Sequence, residues 1–243
     1  MKLTVLGNNG PFPAAGGACS GYLLQSAMAN ILIDCGNGTL ANLQKIVSID
    51  KLDAVVLTHL HSDHVSDIHI MKYAIEIKRR RGIFDKLLKV YAPAEPAEEF
   101  NRLVAKDAFI LEAVSDDTKL DIGDTKLSFA RMKHPFMDFA VCAENRGKKF
   151  VFSGDTSWTD DIVEFGRGAD LLMLDAGLLE KDFTEGAVHM TGAQCGKAAA
   201  QAGAKRLLLT HFWPDYDIKD LLAEASAYFS GAEAAVIMKE YEI

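Results

Sequence analysis

The chain has 243 residues, 49% of them hydrophobic and 25% charged, which is enough apolar material for a sizeable core. That composition excludes a disordered chain, a collagen and a small disulfide scaffold. Lys and Arg number 26 against 34 Asp and Glu, a formal charge of −8, so a global cationic surface for gripping long nucleic acid is excluded while a local patch is not.

The first 35 residues read as strands. Leu3 to Leu6 is a short apolar run stopped by Gly7-Asn8-Asn9-Gly10-Pro11, and Gly21 to Leu24 and Ile31 to Ile33 are two more. A helix is predicted near Thr39 to Val47, with Leu40, Leu43 and Val47 on one face. Asp53 to Thr58 is a buried strand by composition. A helix follows over His64 to Arg80, with Val65, Ile68, Met71, Ala74 and Ile75 at helical spacing. Its basic end, Lys78 to Arg81 before Gly82, is ordinary cation placement at a helix C-terminus and reads as solvated. Residues 87–92 read as a strand, 94–106 as a helix, and 108–132 as two or more strands. Strands are also predicted at Lys149 to Phe152, Asp170 to Leu174, Arg206 to Thr210 and Ala235 to Met238. Helices are predicted at Thr191 to Ala202 and Asp220 to Phe229. Thr191 with Gln194 forms a capping box, and Gly203 supplies the stop.

Strands alternate with helices throughout, so the class is mixed α and β. No linker rich in Pro, Ser or Gly divides the chain, and a single domain over 1–243 is expected. Leu52 to His59 (LDAVVLTH) echoes Ala204 to His211 (AKRLLLTH), which suggests two halves with a site where they meet; chance similarity of short apolar strands accounts for the echo equally well. The cysteines, Cys19, Cys35, Cys142 and Cys195, are widely spaced and read as reduced thiols. No segment approaches the run of about 18 apolar residues that spans a membrane. The first apolar run is too short for a signal peptide. A soluble, cytoplasmic protein is the expectation.

The chemistry concentrates in Thr58 to Asp67 (THLHSDHVSD), at a strand-to-helix junction. Such a loop is costly unless its polar groups are paired or bind metal. His59 and His61 are two apart, point the same way in extended chain, and can chelate one cation. Asp63 and His64 fall at the turn into the helix and can face a second. Imidazole and carboxylate donors fit Zn²⁺, with Mn²⁺ and Fe less favoured. Seven histidines are present. His134 and His211 follow predicted strands, as the His59–His64 loop does, and serve either structure or the site. His69 lies inside the amphipathic helix and reads as structural. Asp155, in Ser153-Gly154-Asp155-Thr156, is either a turn cap or a carboxylate that bridges two metals. His189 either donates a proton to a leaving group or hydrogen-bonds within its loop.

Through H-x-H-x-D-H at 59–64 the sequence resembles the metallo-β-lactamase superfamily. Through His134-Pro135, SGDT at 153–156, His189-Met190-Thr191 and LLLTHF at 207–212 it is most similar to the ribonuclease Z-like branch. The resemblance spans nearly the whole chain and implies a four-layer αββα sandwich with metals at one edge of the two sheets. It implies a first divalent metal on His59, His61 and His134, a second on Asp63, His64 and His211, and Asp155 bridging them. His189 matches the branch's extra catalytic histidine. Two departures stand out. Only 21 positions separate His134 from Asp155, where tRNA-processing relatives carry a long arm, and Asp175 stands where the branch commonly has Glu. The implied activity is a two-metal phosphodiesterase, with Asp63 orienting the water nucleophile or taking its proton and His189 protonating the leaving oxygen. Its expected partners are a small phosphodiester, a cyclic nucleotide or other nucleotide, or an RNA end, without an extended grip on nucleic acid. Dimers are common on this fold, so a homodimer belongs to the expectations. The competing readings are a lactone, thioester or sulfate-ester hydrolase on the same metals, and a non-catalytic metal carrier.

Overall fold

Hydrophobic residues alternate along the first strands between two different interiors. The computed structural model describes all 243 residues. Its first strands are β1 (Lys2–Gly7), β2 (Gly21–Gln25), β3 (Asn30–Ile33), β4 (Ala54–Val56), β5 (Leu88–Pro93) and β6 (Phe109–Val114). Leu3, Val5, Tyr22, Leu24, Ile31, Ile33 and Val56 face one interior, while Leu23, Leu32, Val55, Leu57 and Val90 face the other. That is the period of two of a strand covered on both faces. Each such side chain contributes about 1.5–3 kcal/mol on full burial.

The second sheet is built from β7 (Lys119–Ile122), β8 (Thr125–Arg131), β9 (Phe139–Asn145), β10 (Lys148–Phe152), β11 (Leu171–Asp175), β12 (Leu207–Thr210) and β13 (Glu233–Ala234). A last strand, β14 (Glu240–Glu242), returns to the first sheet and pairs antiparallel with β1. The two orders are β14-β1-β2-β3-β4-β5-β6 and β7-β8-β9-β10-β11-β12-β13. In both sheets three antiparallel pairings precede three parallel ones. The halves therefore repeat one topology. By strand order β4 corresponds to β11, and β12 to β5, so the LTH echo joins strands that are not counterparts.

The inner faces of the two sheets share one core, and helices cover both outer faces. Helix α1 (Thr39–Leu43) and helix α2 (Ser62–Arg80) cover the first sheet through Leu40, Leu43, Val65, Ile68, Met71 and Ile75. The short α3 (Ala97–Arg102) adds Phe100 at the margin. Helices α4 (Asp160–Phe165), α5 (Gly192–Ala202) and α6 (Ile218–Ser226) cover the second through Ile162, Cys195, Ala199, Leu221 and Ala225. The result is a four-layer αββα sandwich. Helix α5 begins in the capping box: Gln194 N–H donates to Thr191 Oγ1 at 3.1 Å, and Thr191 N–H donates to Gln194 Oε1 at 3.0 Å.

Several elements differ from the sequence reading. Helix α1 stops at Leu43, because the next turn tightens to Lys45→Asn42 and Ile46→Leu43 hydrogen bonds and β-branched Ile46 and Val47 favour helix poorly. Helix α3 begins only after Pro96, which holds extended backbone at its N-cap. No strand forms over 235–238. Ala235 still donates to Leu209, then Met238 takes a left-handed φ of 67° and its N–H reaches Val5, which carries the chain across to the first sheet. Strand β9 and helix α4 carried no sequence-based expectation. The interval from His134 to Asp155 is filled by the β9–β10 hairpin, turned at Arg146-Gly147 with φ of 50° and 77°, and no arm leaves it.

Candidate metal centre

The site residues follow the carboxyl ends of strands from both sheets. Asp34 follows β3, the 58–64 loop follows β4, His134 follows β8, Asp155 follows β10, Asp175 ends β11 and His211 follows β12. Asp34 and His211 hold left-handed φ of 56° and 59°, a costly conformation for residues other than Gly. Gly10 makes room at one of them, since a Cβ there would lie 1.9 Å from His211 Nε2.

Four donors converge first: ligand atoms of His59, His61, His134 and Asp155 all lie within 4.8 Å of one another. His61 Nδ1 is 3.0 Å from His59 Nε2 and 3.1 Å from His134 Nε2. Burial lowers the proton affinity of all three imidazoles, and their mutual repulsion lowers it further for His59 and His61, with His61 pushed down to about 4. With His59 Nδ1 turned to Asp138 and His134 Nδ1 to the Val188 carbonyl, their uncharged Nε2 atoms face His61 Nδ1, a donor set open to a cation.

The second group is Asp63, His64, Asp155 and His211, again with donor atoms within 4.8 Å of one another. Asp63 Oδ2 lies 3.2 Å from His211 Nε2 and 3.6 Å from His64 Nε2. Asp155 belongs to both groups: its Oδ1 is 3.3 Å from His64 Nε2, and its Oδ2 is 3.3 Å from His211 Nε2 and 3.7 Å from His59 Nε2. His64 Nε2 and Asp155 Oδ1 are buried without a hydrogen-bond partner. Orphaned buried polar atoms are rare and costly, so borderline donors left open in this way fit divalent cations. Burial disfavours the Asp155 carboxylate, but His211, His64 and His59 outweigh it and hold the group ionised. Burial likewise opposes charge on His64 and His211, and the surrounding Asp carboxylates outweigh it.

A ring of carboxylates orients these imidazoles. His59 Nδ1 is 2.8 Å from Asp138 Oδ2, and His64 Nδ1 is 2.8 Å from Asp34 Oδ2. Asp34 also accepts from Thr58 N–H at 2.8 Å, and Asp138 from Asp155 N–H at 3.0 Å. Carboxylates behind ligating histidines fix the tautomer and raise donor strength. The sequence reading missed Asp34 and Asp138. Nothing in their local patterns separates them from strand-end turn residues; only their complete burial reveals the role. Asp175, noted there only as a departure from the branch, accepts from His189 Nδ1 at 2.8 Å. His189 lines one cavity of about 370 Å³ with His61, His134, Asp155, Asp63 and His211 from the two groups. His69 is half-buried on α2 and joins neither group.

Two mixed sheets between helices, with histidines and aspartates gathered at one edge, define a class of hydrolase. The beta-lactamase superfamily domain matches residues 29–212, and the chain belongs to the metallo-β-lactamase superfamily, as a metallo-hydrolase of a divalent-metal-binding family related to ribonuclease Z. It is 35% identical over 232 residues to the probable metallo-hydrolase YhfI of Bacillus subtilis, covering 95% of each chain. The crystal structure of YhfI superposes with a TM-score of 0.92 over 99% of each chain, at 33% identity. Ribonuclease Z of Brevibacillus brevis is 25% identical over 303 residues, 97% of this chain and 94% of that one. Human tRNase Z, short form, shares the fold with a TM-score of 0.79 at 21% identity, over 100% of this chain and 99% of that one. No helix is long and apolar enough to cross a membrane.

Proposed function

We propose that the chain is a dinuclear-metal phosphodiesterase of ribonuclease Z-like type, acting on small phosphodiesters such as cyclic or other nucleotides or on RNA ends. His59, His61 and His134 would hold one cation, Asp63, His64 and His211 a second, and Asp155 both. The observation that carries this reading is the placement of Asp155, one buried carboxylate that stands between the two histidine groups, with Oδ1 toward His64 and Oδ2 between His211 and His59. Zinc suits the imidazole-rich donor set. The four free, buried cysteines suit a reducing compartment such as the cytoplasm.

Cations bound there would supply Lewis-acid neutralisation of a phosphoryl group and acidification of a water nucleophile. The chain's own groups do the rest. Asp63, in the first turn of α2 with one face toward the cavity, orients the attacking water. Asp138 and Asp34 hold His59 and His64 in the tautomer that turns Nε2 inward. His189 gives its Nδ1 proton to the hydrogen bond with Asp175, which leaves Nε2 to protonate a departing oxygen. Burial opposes the imidazolium of His189, and Asp175 outweighs it, so His189 is held above its ordinary proton affinity.

Support also comes from relatives, a ribonuclease Z by sequence and, by fold alone, a diphosphatase of the PhnP family. The β9–β10 hairpin leaves no arm for a tRNA, which favours small substrates. The deciding experiment combines elemental analysis of metal per chain with assays on bis-p-nitrophenyl phosphate, a lactone and an aryl sulfate, using the apo protein as control. Two cations per chain and metal-dependent cleavage of the phosphodiester are expected. Turnover of the lactone alone would remove the phosphodiesterase reading, and full metal occupancy without any turnover would favour a carrier.

A further inference from the structure

A second cavity of about 510 Å³ opens beside the metal centre and shares His134, Pro135 and Val188 with it. Its chemistry differs from that of the centre. Trp158 is half-buried and Phe183 is 45% exposed, so two aromatic side chains line the space and neither is fully covered. Lys133 stands at the rim. Its backbone is pinned, with the carbonyl accepting from Ser157 N–H at 3.0 Å, but its exposed ammonium is paired with no carboxylate. Gln194 also lines the cavity. Its Oε1 is committed to the capping box, which fixes the side chain and leaves the amide NH₂ to donate.

We infer that this cavity is a nucleobase subsite, in which Trp158 and Phe183 stack on the base of a nucleotide whose phosphate lies at the metal centre. The inference rests on the phosphodiesterase reading and narrows its substrate class to nucleotides. Two features favour a base over an aliphatic group, and a third suits the anionic ligand that carries it. Every base offers a π-face, and stacking on an aromatic ring is tolerant of sequence. A locked amide donor suits the carbonyl and ring-nitrogen acceptors of a base edge. An unpaired lysine in an acidic protein complements an anionic ligand. Continuity through His134 and Val188 places the base one pocket away from the phosphorus, without an extended binding surface.

Calorimetric titration of the metal-loaded protein with adenosine 5′-monophosphate and with ribose 5-phosphate tests this. The nucleotide is expected to bind about tenfold or more tightly than the sugar phosphate, the gain typical of one stacked base. Trp158→Ala and Phe183→Ala are expected to remove most of that margin while leaving ribose 5-phosphate unchanged, and Trp158→Phe to retain it. Phe183 is exposed, so its variant reports even where Trp158→Ala fails to fold. Equal affinity of the two probes for the unaltered protein would overturn the base subsite and leave the phosphodiesterase reading standing. A preserved nucleotide margin without cleavage of any phosphodiester would do the reverse.

Discussion

Asp175 Oδ2 lies 2.8 Å from His189 Nδ1, and the His189 ring stacks on that of His211 with centroids 5.0 Å apart and planes 26° from parallel. Asp175 is itself held by N–H groups of Thr156 at 3.1 Å and Gly177 at 3.0 Å. A carboxylate fixed by two backbone donors gives the histidine one orientation, with Nε2 toward the cavity.

His189→Ala is therefore expected to lower turnover on poor, alkoxide-type leaving groups by about 10²–10⁴-fold, the usual worth of general acid catalysis. On p-nitrophenolate, which departs without a proton, the loss should be much smaller. Metal content should not change. Loss of metal in this variant would assign His189 a different job.

Asp155 and Asp63 should separate by stoichiometry. Asp155→Ala removes a carboxylate that faces both histidine groups, so metal per chain should fall from two towards one by elemental analysis. Asp63→Ala is expected to abolish turnover while the circular dichroism spectrum stays native. Two retained cations in Asp155→Ala would argue against a shared ligand.

Asp138 touches the centre only through others. It accepts from His59 and from Asp155 N–H, and a Cβ at Gly154 would lie 2.2 Å from its Oδ1. Asp138→Ala should weaken metal affinity by about 10–100-fold in competition with a chelator, the range for carboxylates behind ligating histidines. Gly154→Ala should disturb the same contact and also strain a φ of 62°, at a cost of about 1–3 kcal/mol in urea unfolding. Unchanged metal affinity in Asp138→Ala would show that His59 needs no orienting group.

Asp170, remote from the site, ties three strands at their starts. It accepts from Lys149 N–H at 3.0 Å, Lys148 Nζ at 3.2 Å and Lys205 Nζ at 2.8 Å. Burial raises its proton affinity, but these donors outweigh it and bring the pKa down to about 2. A carboxylate depressed on folding stabilises above its unfolded pKa near 3.8, and the contribution fades as pH falls towards 2. Asp170→Asn should cost about 1–2 kcal/mol at pH 7, discounted for the half-exposed lysines, and almost nothing near pH 2. An equal loss at both pH values would mean that charge plays no part.

Removing metal should cost stability as well as activity. Five aspartates, Asp34, Asp63, Asp138, Asp155 and Asp175, are buried around the centre, and burial disfavours the charge on each, a cost that bound cations would offset. Dialysis against a chelator is expected to lower Tm by several degrees, and added Zn²⁺ to restore it, since a ligand held by the native state alone stabilises it by about 2.7 kcal/mol at a hundredfold excess over Kd. An unchanged Tm would point to weak binding at both groups.

Much of this protein is readable along the chain. Helix α5 could be drawn from Thr191, Gln194 and Gly203 because capping is local chemistry between residues three or four apart. The His59-to-His64 cluster could be read as a metal-type loop because its donors are neighbours in sequence. The αββα layers came through resemblance, carried by motifs spread from His59 to Phe212. What local pattern could not decide is which buried carboxylates stand behind the histidines. Asp34 reaches His64 across 30 positions and Asp138 reaches Asp155 across 17, partnerships that exist only once neighbouring strands pair, and Asp138 reaches His59 only once the two sheets close on each other. The same holds for the end of the chain, where an apolar run that resembles one strand is split between two sheets by a left-handed turn at Met238. Sequence by itself settled the kinds of donor and their local spacing, since both follow from side-chain chemistry and backbone period. Tertiary structure alone decided which distant groups share a proton or face a common point, because burial and strand order, not adjacency, bring them within reach.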